Sequence, residues 1–156
     1  HKLKRIRDGA ARLGLPNIRT ELQDASVCRE EWKDSADVVL CDVPCSGLGI
    51  IRKKPEIRFK NPDEIQTLPE IQARILANCA QYVKKGGTLV YSTCTILQRE
   101  NEDVVRAFLT ENPEFEAVSW THPVCGERAD GMVTLLPPVH NTDGFFIAKL
   151  HRKSGE

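Results

Sequence analysis

The chain has 156 residues, 40% hydrophobic and 28% charged, and its 22 basic and 22 acidic side chains give a formal net charge of zero. That length describes one globular domain able to bury roughly 70% of its unfolded surface, and the charge balance argues against a nonspecific polyanion binder. No apolar run approaches the ~20 residues of a membrane span, and no charged-then-apolar leader precedes the first helix.

The chain opens at His1 rather than Met and is expected to belong to something longer. Over 2–13 a helix is predicted, with Leu3, Ile6, Ala10 and Leu13 on one face and Gly14 as its stop. Segment 1–12 carries five Lys/Arg against Asp8, which reads equally as a solvated helix face or as a patch for a phosphate backbone. "NIRTELQ" (17–23) alternates like a strand and ends at Asp24. "ADVVLCDV" (36–43) is a continuous apolar run, the pattern of a parallel strand covered on both faces. Segment 52–60, "RKKPEIRFK", has five Lys/Arg against Glu56 and no helical pattern, so docking to phosphates is the better reading there.

"NPDE" (61–64) is a helix start, with an Asn cap and Pro in the first turn. Pro69 should interrupt that helix and a longer one should follow through Ile71, Ile75, Leu76, Cys79 and Val83, ended by "KKGG" (84–87). "TLVYS" (88–92) is a buried strand running into Ser92-Thr93-Cys94-Thr95, and 98–111 a helix with Glu100, Glu102 and Asp103 in its first turn. Strands are expected near 114–119, 131–136 and 144–150. Strand–helix alternation closed by a group of strands indicates an α/β fold with a mostly parallel sheet and helices on both faces.

The six cysteines (28, 41, 45, 79, 94 and 125) form neither a CxxC pair nor a Cys/His cluster at zinc spacing, so no metal site is expected. They read as reduced thiols of a cytoplasmic protein, with Cys41 and Cys79 in the core. Ligands of open α/β sheets bind beyond the carboxyl ends of the strands. Three strands here should end in Asp24, in Asp42-x-Pro44-Cys45 and in Ser92-Thr93-Cys94. The four histidines lie at position 1 and in the last third, which disfavours a Cys–His acyl transferase. A soft thiolate suits addition to an electron-poor ring such as C6 of cytosine, provided a carboxyl group hydrogen-bonds the ring. A free cysteine with pKa ~8.5 is only a few per cent thiolate at neutral pH, so activation is required, from the 52–60 cations or the helix after Cys94.

"DVVLCDVPCSGLGIIRKKPEIRF", followed by "GGTLVYSTCTILQRENEDVV" and the tail "HNTDGFFIAKL", resembles the RNA (cytosine-5)-methyltransferases, the Sun/Fmu-like ribosomal RNA enzymes and their NOL1/NOP2/Sun relatives. The resemblance implies a Rossmann-like fold, S-adenosylmethionine as methyl donor and RNA, in particular ribosomal RNA, as substrate. By the same resemblance Cys94 is the nucleophile on C6, Cys45 assists elimination and product release, and Asp42 hydrogen-bonds the cytosine edge near the methionine end of the cofactor. Asp24 matches the position that contacts the cofactor's adenine, and a strand-to-helix cap in "DAS" is an equal reading of it. Arg52, Lys53 and Arg58 would contact the RNA backbone, and Phe59 or Phe145 could line the base pocket, although both residue types are more often core.

The family's glycine-rich cofactor loop and its first two strands are absent from these residues, so 1–156 is expected to be one partial catalytic domain, its C-terminal portion. The edge of strand 36–43 is then expected to be covered, by strand 17–23 or by another chain. A non-catalytic RNA-binding or assembly module that keeps the fold is the alternative. Residues 1–156 alone are expected to bind S-adenosylmethionine weakly at most and to transfer no methyl group; calorimetry checks this, and micromolar affinity would overturn it.

Overall fold

A computed structural model describes residues 2–155. Helix α1, Lys2–Arg12, forms as the apolar spacing requires, and Gly14 follows it at φ +65. Its stripe meets little, since Ala10 alone is buried while Ile6 and Leu13 are exposed. Residues 17–23 form no strand, and their Ile18 and Leu22 side chains lie exposed. Alternation alone cannot hold a strand. The segment needs a neighbouring ladder, and none of the described residues supplies one.

Strand β1 is Ala36–Asp42. Helix α2, Pro62–Gln66, starts where expected, with the Asn61 side chain accepting from Asp63 N at 3.0 Å. Helix α3, Leu68–Ala80, carries Pro69 in its first turn. Lys84–Gly87 do not end this helix, as their composition suggests, but enter strand β2, Val83–Thr93. The pairing explains why: Ala36 faces Val83 and Val38 faces Thr88, so Lys84–Gly87 bulge out of the ladder, with Gly86 at φ +78. A 3-10 turn, Gln98–Glu100, precedes helix α4, Glu102–Glu111. Strand β3, Phe115–Ala117, is followed by a hairpin the sequence patterns did not indicate, β4 (Trp120–His122) with β5 (Gly126–Arg128). Strand β6 (Met132–Leu135), the short helix α5 (Pro137–His140) and strand β7 (Phe145–Arg152) complete the chain.

The main sheet has the order β1-β2-β7-β3, with β6 also on β7. It is α/β, as expected, but mixed: β1 and β2 are parallel, and β7 is antiparallel to β2, β3 and β6. The parallel part is smaller than a mostly parallel sheet because residues 17–23 add no strand and the closing strands all pair through β7. Along β7, residues 150–152 face β3 and residues 145–148 face β6.

One sheet face is the core. Leu89, Tyr91 and Thr93 of β2 stand opposite Leu150, Ala148 and Phe146 of β7, all of them buried. Ile75, Leu76 and Ala80 of α3 and Val104, Val105 and Phe108 of α4 join the same cluster. Cys41 is buried there and Cys79 packs against it, as expected. The other face of β1 is open, with Val38 and Leu40 at 63% and 68% exposure, so its apolar run is covered on one face only. Its outer edge is unpaired among the described residues, and the expected pairing with 17–23 is not made. No helix among them is long and apolar enough to cross a membrane. Leu76→Ala should cost about 2–5 kcal/mol of stability, whereas Leu40→Ala should stay within about 0.5 kcal/mol; urea unfolding checks both.

Candidate active site

Because β1 and β2 are parallel and Asp42 stands opposite Ser92, the two strands end at the same level. Val43 N carries the pairing one step further, donating to Ser92 O at 3.3 Å. The segments leaving the two strands therefore travel side by side, and each brings a cysteine. Cys45 Sγ and Cys94 Sγ lie 3.1 Å apart, and the Cys94 amide points at Cys45 Sγ from 3.3 Å. Asp42 is exposed at the strand end, its Oδ1 accepting from Ser92 Oγ at 3.1 Å.

The loop after Cys45 turns at Gly47, φ +77, and Gly49 then donates to Cys94 O at 3.0 Å. Gly144, just before β7, donates to Gly49 O at 2.8 Å. A Cβ on Gly144 would sit 2.6 Å from Gly49 Cα, so the approach of these backbones depends on glycine. A cavity of about 400 Å³ opens beside the thiols, lined by both cysteines and by Ile50, Lys54, Ile57 and Lys60. The 3-10 turn Pro55–Phe59 forms part of its wall.

Of the expected site residues, Cys94 and Cys45 come together, while Asp42 stands at the end of β1 bonded to Ser92. Asp24 does not join them by any hydrogen bond among the described residues. Its carboxylate accepts from Ser26 Oγ at 2.7 Å and Ser26 N at 2.9 Å, which holds it below the usual carboxylate range; these bonds close a local turn and not a strand-to-helix cap, since no strand precedes Asp24 and a turn follows it. Arg52 and Lys53 border the site but are already engaged, at 3.8 Å and 2.5 Å from the carboxylate of Asp143, a buried residue ahead of β7. Arg58 donates to Pro55 O, and its guanidinium lies 5.9 Å from the centroid of Phe59, a ring that is 83% exposed. Phe145 is partly exposed at the start of β7.

Sequence patterns missed Asp143, Gln72 and Asn101, counted Lys60 only as one of the 52–60 cations, and gave Glu100 the wrong setting. Lys60 Nζ bonds to Ser46 O at 2.8 Å, so its charge acts on the loop backbone. Glu100 ends the 3-10 turn ahead of α4 instead of sitting in that helix's first turn, and it is fully buried against the Cys45 loop. Only the adjacency of Glu100 and Asn101, directly ahead of an apolar helix face, could have flagged them.

Burial, and next the adjoining Cys94 thiol, push the Cys45 thiol up to about 12. It therefore stays protonated at neutral pH and is suited to donating its S–H, not to attacking. Only the thiolate alkylates, so the rate at which iodoacetamide modifies Cys45 should climb about tenfold per pH unit from 7 to 10. A plateau below pH 10, followed by peptide mass mapping, would contradict this.

The family model for 16S rRNA methyltransferase RsmB/F matches residues 1–151. The chain is 44% identical over 160 residues to a probable ribosomal RNA small subunit methyltransferase B of Bacillus subtilis, covering 98% of this chain and 36% of that protein. It is 40% identical over 126 residues to ribosomal RNA small subunit methyltransferase B of Thermus thermophilus, covering 79% and 31%. Among solved structures it resembles PH0851, with a TM-score of 0.88 at 36% identity over 96% of this chain and 34% of that one. It also resembles NSun6 from Pyrococcus horikoshii, solved with SFG, with a TM-score of 0.77 at 25% identity over 99% and 39%. The chain thus spans about a third of the length of the curated relatives it matches. With a match that runs through both cysteine loops and nearly to the C-terminus, this chain belongs to the RsmB/F family of 16S rRNA methyltransferases.

Proposed function

We propose that residues 1–156 are the thiol-bearing, C-terminal portion of a single catalytic domain that methylates C5 of cytosine in ribosomal RNA with S-adenosylmethionine. The observation that carries this reading is the Cys45–Cys94 pair, 3.1 Å apart on the segments leaving adjacent parallel strands, the first of which ends at Asp42. Family membership supports the methyl donor and the RNA substrate, as does the relative solved with SFG, an S-adenosylmethionine analogue. A cytoplasmic setting suits six free cysteines.

Cys94, its S–H proton given up to solvent, attacks C6 of the cytosine as the thiolate, forming a C6–S bond as the ring's electron pair moves toward C5 and the ring edge. Asp42 hydrogen-bonds that edge and orients the ring. When bound, S-adenosylmethionine supplies the methyl group that C5 takes up. The C5 proton passes to solvent water, and its electron pair restores the double bond as the C6–S bond breaks, with that bond's electron pair returning to Cys94. Cys45, protonated and 3.1 Å away, stabilises the departing Cys94 sulfur through its S–H. The exposed carboxylates of Asp42 and Asp24 fit a cofactor with a cationic sulfonium and an adenine amine. Arg52, Lys53 and Arg58 line the approach for RNA phosphates, whose contacts help meet the few kcal/mol needed to extrude a base.

In the full-length protein with 5-azacytidine-substituted ribosomal RNA, Cys45→Ala should accumulate a covalent RNA adduct and Cys94→Ala should form none. Cys94→Ala should also lower methyl transfer by at least about 1000-fold. The opposite adduct pattern would mean the two thiol roles are reversed. No adduct in any variant or in the unaltered protein would favour a silent RNA-binding module.

A further inference from the structure

Glu100 ends the 3-10 turn and Asn101 links it to α4, and both are fully buried. Glu100 Oε2 accepts from Ser46 N and from Gln72 Nε2, each at 2.9 Å, and Gln72 Nε2 reaches Pro44 O at 3.0 Å. Pro44 and Ser46 flank Cys45. Asn101 Oδ1 accepts from Thr93 Oγ1 at 2.6 Å, and its Nδ2 donates to Thr95 O at 3.1 Å. Thr93 and Thr95 flank Cys94. One link joins the two sets directly, Ser46 Oγ to Thr95 Oγ1 at 2.7 Å. Tyr91 OH, donating to Glu100 O at 2.6 Å, fixes the Glu100 backbone to β2.

We propose that Glu100 and Asn101 are positioning residues, one gripping the Cys45 loop and the other the Cys94 loop, so that two adjacent backbone units set the distance between the thiols. A fully buried carboxylate is a costly device. None of the ion pairs among the described residues involves Glu100, and its Oε1 has no hydrogen-bond partner. Stability alone favours an apolar side chain at such a place, whereas holding a loop amide and a glutamine together requires an acceptor. The same division of tasks explains Asn101. Its amide is both acceptor and donor, which lets one side chain close on the residues before and after Cys94.

The role in catalysis rests on the methyltransferase reading, but the positioning itself can be measured without RNA or S-adenosylmethionine, so either can fail alone. In glutathione buffers the two thiols and one oxidised glutathione give one Cys45–Cys94 disulfide and two reduced glutathiones. The equilibrium constant, read by peptide mapping, reports how well the thiols are held together. Glu100→Ala and Asn101→Ala should each lower it about tenfold or more. Glu100→Gln, which keeps an acceptor oxygen, should remain within about threefold of the parent chain. Phe108→Leu, a core change in α4 away from both loops, serves as the control for lost stability and should leave the constant unchanged. If an alanine variant does not fold, Thr93→Val, which removes the hydroxyl that donates to Asn101 and accepts from Thr95 N at 3.4 Å, should still lower the constant measurably. The proposal is overturned if the foldable variants at 93, 100 and 101 all stay within about twofold of the parent, or if Phe108→Leu lowers the constant as much as they do.

Discussion

The parallel register of β1 on β2 is the constraint from which the site follows. With Asp42 opposite Ser92, neither strand outruns the other, and the two exits share one level of the sheet. A slip of one residue would turn Cys41 out of the core and carry Cys45 away from Cys94. Antiparallel β7 completes the arrangement, because its first residues meet the last residues of β2, Phe146 lying opposite Thr93. That direction delivers Asp143 and Gly144 to the same end of the sheet, where one meets the basic segment and the other the Gly49 backbone.

Two kinds of energy operate on either side of this boundary. Below it the core is apolar and roughly area-driven, and it fixes where the strands lie. Above it apolar side chains such as Ile57 share the loops with buried polar groups, and the segments next to the thiols are held by hydrogen bonds, which are directional and unforgiving of displacement. The transition occurs along β2 itself, where Leu89 and Tyr91 give way to Thr93 on the same face. Tyr91 belongs to both regions: its ring packs edge-on to Phe146, and its hydroxyl reaches the Glu100 carbonyl.

Much of this was legible in the residue order, and the failures have physical causes. Asn61 and Pro62 announced α2 because a cap is a local interaction. The thiols at 45 and 94 could be placed together because strand ends in an α/β sheet converge on one edge. The strand at 17–23 misled because alternation records a face to be buried but not whether a neighbouring ladder exists. Lys84–Gly87 misled for the opposite reason, since basic residues and glycines end helices by a local rule that a bulge opposite β1 overrode. Glu100 looked like a first-turn acid of the helix that follows it. Its actual contacts, Ser46 and Gln72, are remote in sequence, and no local pattern encodes them.

The Asp143 carboxylate gives the basic segment an unusual electrostatic character. Arg52 and Lys53 share a counterion that is part of the protein and cannot diffuse away. For most nucleic-acid contacts, affinity depends on salt because mobile ions condensed on the polymer are released in proportion to the phosphates neutralised. Here a phosphate meeting these two side chains encounters one net positive charge instead of two, and it competes with an anion fixed in place. Under the proposed reading, those contacts serve register and orientation more than bulk attraction, and the site's dependence on ionic strength is shallower than its number of cations implies.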